Sequence, residues 1–134
     1  MTRASEKNGA DLVRQLWAAV NRQDLAALLE ICDEEVELLS ALSGTYRGID
    51  GLRSWWRGLF EAVGRYEGVV EDSMAVGNRV VLALVQIEAS GQTSGMEGTR
   101  RVLQVFTLGE GTIKRLAVYL DPADALEDAA RQLR

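Results

Sequence analysis

This sequence lacks one of the side chains that usually perform catalysis and contains another only once. Histidine is absent from all 134 residues, which removes the commonest general base at neutral pH and the commonest metal ligand. Proton transfer would therefore depend on a carboxylate, a tyrosine, a lysine or water. The single cysteine, Cys32, follows Leu28 and Leu29 in a predicted helix, where a small core residue is a better interpretation than a nucleophile. We expect no metal site, no redox centre and no cofactor.

Two polar residues, Ser40 and Gln104, lie on predicted strands whose inward neighbours are apolar. The amide of Gln104 can donate and accept hydrogen bonds, so it would orient a carbonyl or hydroxyl group without carrying a charge. Apolar pockets with a few orienting polar groups are typical of small-molecule sites. The predicted pocket residues are Trp17, Val20, Ser40, Trp55, Trp56, Gln104, Phe106, Leu116 and Val118.

The same residues also fit a filled core, in which the tryptophans and Gln104 simply pack together. A continuous volume of roughly a few hundred Å³ beside Gln104 would favour the pocket, whereas side chains filling that volume would favour the core. Neither interpretation assigns a catalytic residue.

Strands dominate the second half of the chain, where β-branched and long apolar residues are concentrated. They are predicted at 79–89, 100–108 and 112–120, with a further strand at 67–76. Glycine-containing turns join them, so we expect an antiparallel meander with a mobile hairpin tip at 90–99. Alternation along the strands then places one set of side chains on the pocket side, namely Val81, Val85, Ile87, Val102, Gln104, Phe106, Leu116, Val118 and Leu120.

Helices dominate the first half. After a flexible tail at 1–9, the helix spacing of apolar residues predicts an amphipathic helix at 10–20 and shorter helices at 25–32 and 52–63. A strand at 35–40 and a loop at 42–48 separate the last two. Asp121 and Pro122 are typical of a helix start, and the final helix would bury Leu126, Ala129, Ala130 and Leu133.

Length and charge narrow the class of protein. A chain of 134 residues fits one domain spanning 1–134. The net charge of −5 argues against nucleic acid as a partner. No apolar run approaches the ~20 residues that cross a bilayer, and the N-terminus has no apolar secretion signal, so we expect no membrane association and a cytoplasmic location.

Three segments resemble a known superfamily in sequence and in order. They are the turn between two helices at 20–28, the acidic approach to a strand at 33–38, and the glycine-containing step from a loop into a helix at 46–52. Together with the predicted meander, they resemble the nuclear transport factor 2-like superfamily, which includes SnoaL-like polyketide cyclases and steroid Δ-isomerases. The resemblance implies an α+β fold, in which a cone-shaped, curved antiparallel sheet is covered by N-terminal helices around an apolar pocket.

The resemblance also shows which reactions the chain lacks residues for. Ser40 falls where the steroid isomerases keep a proton-shuttling aspartate, and Gln104 where a protonated aspartate donates to the substrate oxygen. Leu16 and Trp56 fall where tyrosines are expected. Since Ser40 cannot shuttle a proton near neutral pH, the isomerase reaction is excluded. The Asp–Arg–Asp relay of related epoxide hydrolases has no inward counterpart, and the candidate cyclase carboxylate, Asp121, is better explained as a helix N-cap.

Two functions therefore remain open. The first is a pocket protein for a small hydrophobic molecule, enzymatic or purely binding. The second is a dimeric scaffold or partner-binding module with a vestigial pocket. A homodimer is expected in either case, because the sheet face opposite the pocket carries a large apolar surface; its residues are Val80, Leu82, Leu84, Leu103, Val105, Ala117 and Tyr119.

Overall fold

The computed structural model describes residues 9–41, 43–91 and 98–133. Its elements, in chain order, are α1 (Gly9–Asn21), α2 (Leu25–Glu30), β1 (Cys32–Ser40), β2 (Gly44–Arg47), α3 (Gly48–Ala62), β3 (Arg65–Val76), β4 (Val80–Ser90), β5 (Gly98–Leu108), β6 (Ile113–Tyr119) and α4 (Pro122–Gln132). The predicted tail up to residue 8 and the hairpin tip at 92–97 lie outside the described residues.

The six strands form one curved, unclosed sheet in the order β2-β1-β6-β5-β4-β3. The predicted meander is confirmed, since β3, β4, β5 and β6 pair antiparallel in sequence order. The sheet is not wholly antiparallel, however, because β1 runs parallel to β6. The α+β cone expected from the sequence is confirmed.

Helix α1 lies on the concave face of the sheet and is fixed there at two points. The Trp17 ring lies so close to β3 that a methyl group at Gly68 would come within 2.5 Å of it. One turn later, the Asn21 side chain accepts from the backbone N–H of Gly68 at 2.8 Å and donates to its carbonyl at 2.9 Å. Because β3 is an edge strand, the Asn21 side-chain amide makes the two backbone hydrogen bonds that a neighbouring strand would otherwise make to Gly68.

The second and third helices complete the cover. Asp24 caps α2 by accepting from the backbone N–H of Ala27 at 3.1 Å, as its position in the sequence predicts. Between β1 and α3, the predicted loop contains the short strand β2, which carries too little apolar alternation to be recognised. Leu52 and Leu59 are buried on the inner face of α3.

Helix α4 packs against the opposite, convex face of the sheet, and Asp121 caps it through the backbone N–H of Ala123 at 2.9 Å. The predicted buried face is wrong by about one residue. Leu126 and Leu133 are exposed, and the buried residues are Ala125, Asp128 and Ala129. An ion pair decides the orientation, because Asp128 reaches Arg115 on β6 at 2.9 Å.

This position of α4 changes the argument for a homodimer. Ala125 and Ala129 pack against Val80, Leu82, Val105 and Ala117, so one chain already buries these members of the proposed interface. Leu84, Leu103 and Tyr119 remain half-buried on the same face. The homodimer itself stays a prediction.

Three other boundaries differ from the sequence prediction. Gly9 belongs to α1 instead of the tail and is buried. It lies so close to Val81 that an added methyl group would collide with that side chain. Cys32 starts β1 instead of ending α2, and Leu120 lies beyond β6 and is exposed. Within the described ranges, no helix is both long and apolar enough to cross a membrane. The cytoplasmic location stays a prediction.

Candidate functional site

A cavity of about 50 Å³ lies between the helical cover and the concave face of the sheet. Apolar side chains from α1, α2, α3, β1, β4 and β6 make up most of its wall. The lining residues are Leu16, Trp17, Val20, Leu28, Cys32, Val36, Glu37, Leu38, Ser40, Leu52, Trp55, Tyr66, Ile87, Gln104, Ile113, Leu116 and Val118. This volume is much smaller than the few hundred Å³ expected of an open pocket.

Gln104 brings a polar group to this cavity from the central strand β5, and only 3% of the residue is exposed. Its Oε1 accepts a 3.0 Å hydrogen bond from Nε1 of Trp17. Because an indole nitrogen can only donate, the amide oxygen must face Trp17 and the NH₂ group must point elsewhere. That NH₂ group has no hydrogen-bond partner in the described part of the chain.

Tyr66 is a second buried polar residue at the cavity. The sequence does not identify it as a pocket residue, because it lies one residue before the strand predicted at 67–76. The residue is 8% exposed. Its ring stacks on Trp17 with centroids 6.2 Å apart and meets Phe60 edge-on at 6.5 Å. Burial raises the pKa of its hydroxyl to about 12, so it stays protonated. The hydroxyl has no hydrogen-bond partner within 9–41, 43–91 and 98–133.

Most of the sequence-predicted pocket residues lie on the wall, namely Trp17, Val20, Ser40, Trp55, Gln104, Leu116 and Val118. Two do not. Phe106 is fully buried in the core beyond the cavity. Trp56 follows Trp55 on α3, so its side chain leaves the helix in a different direction. It packs on Phe60, with ring centroids 4.9 Å apart. The sequence pattern identified the sides of the helices and strands that face the cavity, but not whether the rings of Phe106 and Trp56 reach its wall.

The nucleophile and acid candidates at the cavity are inactive or turned away. Burial raises the pKa of the Cys32 thiol to about 12, so the thiolate needed for attack is not formed near neutral pH. Glu37 contributes to the wall, but its carboxylate pairs with Nη1 of Arg47 at 3.4 Å. Strand alternation turns that side chain to the convex face, opposite to Leu38.

An outer cavity of about 240 Å³, which we call the vestibule, adjoins the inner one. The two share Ser40, Trp55 and Tyr66 as lining residues. The other vestibule residues come from the β1–β2 turn, β2 and α3 and are Ser43, Tyr46, Gly58, Leu59 and Ala62. The hydroxyl of Tyr46 donates to the backbone carbonyl of Ser43 at 3.1 Å, which ties this rim to the turn.

Known proteins resemble this chain both in sequence and in fold. The uncharacterized protein Rv0034 of Mycobacterium tuberculosis is 31% identical over 119 residues, which cover 84% of this chain and 89% of that protein. A nuclear transport factor 2-like protein of unknown function from Cytophaga hutchinsonii superposes with a TM-score of 0.69 at 19% identity, covering 94% of this chain and 97% of the other. TerC, co-crystallized with polyporic acid, superposes with a TM-score of 0.72 at 17% identity, covering 91% and 97%.

The family match covers all of the residues that line the cavity except Val118. Residues 13–116 match the SnoaL-like domain, a range that runs from the middle of α1 to β6 and includes Trp17, Tyr66 and Gln104. The superfamily resemblance inferred from the sequence is thereby confirmed, and the chain belongs to the SnoaL-like domain family.

Proposed function

We propose that this protein binds a small hydrophobic molecule that carries a hydrogen-bond acceptor, such as a carbonyl group. The observation that carries the proposal is the Gln104 amide, whose oxygen is held by Trp17 and whose NH₂ group is left unpartnered at an apolar cavity. A buried polar group without a hydrogen bond costs roughly 1–3 kcal/mol. A ligand acceptor, or water in its absence, would recover that cost.

The environment of Gln104 favours an apolar ligand body. Trp17, Trp55 and Tyr66 present aromatic surface to the cavity, and aliphatic residues of β1 and β6 complete the wall. Aromatic rings bind flat apolar groups through large contact areas, while one or two fixed polar groups set the orientation. The co-crystallization of TerC with polyporic acid supports this proposal, because it shows a small molecule accompanying a protein of the same fold.

Binding is better supported than catalysis. Among the described lining residues, the one carboxylate belongs to Glu37 and pairs with Arg47 outside the cavity. Cys32 and Tyr66 are both held in their protonated forms by burial. General acid–base catalysis requires a group that changes protonation near the working pH. Gln104 and Tyr66 would therefore orient a ligand, and neither would carry a proton between its atoms.

Native mass spectrometry of the freshly purified protein tests the proposal. We expect a co-purifying small molecule with the wild type and its loss in Gln104→Met, which keeps an apolar chain of similar length but no NH₂ group. Gln86→Met on β4 is the matched control, since Gln86 is half-buried and does not line the cavity. A ligand retained equally by both variants would contradict the role of Gln104.

A second function, that of a dimeric scaffold with a vestigial pocket, is favoured by two observations. The inner cavity is small at about 50 Å³, and α4 exposes Leu126 and Leu133 at 55% and 49%. This alternative predicts a dimer by light scattering and no ligand in the mass spectra. A ligand-bearing monomer would exclude it.

A further inference from the structure

The inner cavity and the vestibule are separated by three residues that contribute to both. These are Ser40 at the end of β1, Trp55 on α3 and Tyr66 on β3. Small-molecule sites usually enclose ~300–1,000 Å³. The inner cavity holds about 50 Å³ and the vestibule about 240 Å³, so neither reaches that range alone, but the two together approach it.

Two of the three separating residues are held in place. Tyr66 is buried and contacts Trp17 and Phe60 through its ring. Ser40 belongs to β1 and is paired with Gly44 on one side and Val118 on the other. Their positions follow from the sheet and from the packing around Trp17, so moving either would disturb the core.

Trp55 is held much less firmly. The residue packs against the edge of the core but stays half-buried, and its aromatic contact is an edge-on one with Trp56 at 6.3 Å. Unlike Trp17, its indole N–H has no hydrogen-bond partner in the part of the chain that the structure describes. A half-buried side chain without a hydrogen bond changes rotamer more readily than one that is fully buried and hydrogen-bonded.

We propose that the Trp55 side chain is a gate between the two cavities and that its displacement creates one elongated site. This inference rests on the proposed function and specifies its ligand class. The ligand would be a flat molecule of about two aromatic rings, with a carbonyl oxygen at its inner end against the NH₂ group of Gln104. Its outer ring would occupy the vestibule between α3 and Tyr46.

Gly58 provides a direct way to block the vestibule. It lies on α3 one turn after Trp55 and lines the vestibule, and a methyl group added there meets no atom within 4 Å. A leucine at this position would therefore start from an unobstructed Cβ and extend into the vestibule. Arg57→Leu is the matched control, because it adds the same side chain to an exposed position of α3 that lines neither cavity.

The test compares two ketone probes, acetophenone with one ring and chalcone with two, by isothermal titration calorimetry. For the wild type, we expect tighter binding of chalcone. Gly58→Leu should weaken chalcone binding by at least about tenfold and change acetophenone binding by less than about twofold, since most of the second ring's contacts would be lost. Arg57→Leu should leave both affinities unchanged.

A second measurement addresses the gate itself. Trp55→Ala removes the dividing ring and should raise the association rate constant of chalcone by about fivefold or more in stopped-flow fluorescence, because binding that waits for a conformational change is slowed. An unchanged rate constant would overturn the gate. Chalcone binding that is unaffected by Gly58→Leu would overturn the elongated site and leave the proposed function standing. If the wild type binds neither ketone, the proposed function fails for this ligand class and the inference fails with it.

Discussion

The indole Nε1 of Trp17 lies 3.0 Å from Oε1 of Gln104, and this buried hydrogen bond joins α1 to the central strand of the sheet. The two residues are separated by 87 positions in the sequence, so the bond connects the helical cover of the cavity to its floor. It also fixes the amide orientation, in which the NH₂ group has no hydrogen-bond partner among the described residues. Gln104 therefore has a structural role in addition to the binding role that we propose for it.

The first prediction separates these two roles. The sequence alone suggests that Gln104→Leu leaves the stability unchanged or slightly improved, because a buried amide without a bound ligand would lack hydrogen-bond partners. The structure predicts a loss of about 1–3 kcal/mol in the free energy of unfolding, because the Trp17 N–H loses its buried acceptor. Urea denaturation of the purified variant measures this loss.

A double-mutant cycle provides the control. Trp17→Phe removes the donor, and the double variant removes both partners, so its loss should be smaller than the sum of the two single losses. Additive losses would show that the hydrogen bond contributes nothing to stability.

The second prediction concerns the contact between Trp17 and β3. Gly68→Ala should destabilise the protein by about 1–3 kcal/mol, because the added methyl group overpacks the site and pushes the indole ring away. Gly58→Ala is the matched control, since the same change in the open side of α3 should stabilise by roughly 0.5–1 kcal/mol through helix propensity. Thermal unfolding should therefore shift in opposite directions, and equal shifts would contradict the close approach of Trp17 to Gly68.

Sequence patterns predicted the faces of the sheet well and the partners of single residues poorly. Strand alternation has a period of two, so one apolar run is enough to separate Val81 and Val85 from Val80 and Leu82. The bond from Trp17 to Gln104 depends on how two distant elements meet, which no local pattern encodes. Tyr66 was missed because β3 begins at Arg65, two residues before the strand predicted at 67–76, and element ends are where assignments commonly differ.

The face of α4 was mispredicted for a different reason. Apolar periodicity favours Leu126 and Leu133 as the buried positions, whereas the structure buries Asp128. A carboxylate is buried only when a partner compensates for the lost hydration, and that partner, Arg115, lies on β6. Hydrophobicity along one helix contains no information about a cation on another element.

The third prediction concerns Asp128. Its side chain is fully buried and bonds to Arg115 at 2.9 Å and to Gln132 at 3.2 Å. Asp128→Asn leaves the Arg115 cation without its counter-charge beneath α4. We expect a loss of roughly 3 kcal/mol in the free energy of unfolding, the lower end of the range for a broken buried pair, because Arg115 keeps 16% of its side chain exposed.

The pH dependence of stability gives this ion pair a distinct signature. Burial alone would raise the pKa of Asp128, but hydrogen bonds from Arg115 and Tyr119 outweigh it and hold the pKa below its ordinary value. The stabilisation is therefore complete above about pH 4 and is lost as the pH falls through the folded-state pKa. Urea titrations between pH 2.5 and 7 should show the difference between wild type and Asp128→Asn shrinking below about pH 4. A difference independent of pH would contradict the assignment.

The fourth prediction concerns the expected homodimer. Leu82 is 9% exposed and packs against α4 within one chain, so Leu82→Glu should unfold the protein by burying an unpaired charge, at a cost above about 4 kcal/mol. Leu84 is half-buried on the convex face. Leu84→Glu should keep the fold, as judged by circular dichroism, and release monomers. Light scattering that finds the wild type monomeric at micromolar concentration would disprove the dimer.

The parallel pairing of β1 with β6 has a consequence for how the chain folds. Leu38 and Ser40, near the start of the sequence, are paired with Leu116 and Val118, near its end. Closing so long a loop costs entropy before the contacts form, and such non-local topologies fold slowly, on a scale of roughly milliseconds to seconds. A nascent chain that ends before Ile113 has α1 to α3 and β1 to β5 but lacks β6, the strand that joins β1 to β5 in the sheet. The apolar side chains of β1 that face the cavity therefore stay without their β6 neighbours until the last strand leaves the ribosome, and this interval is when the protein is most open to aggregation or chaperone binding.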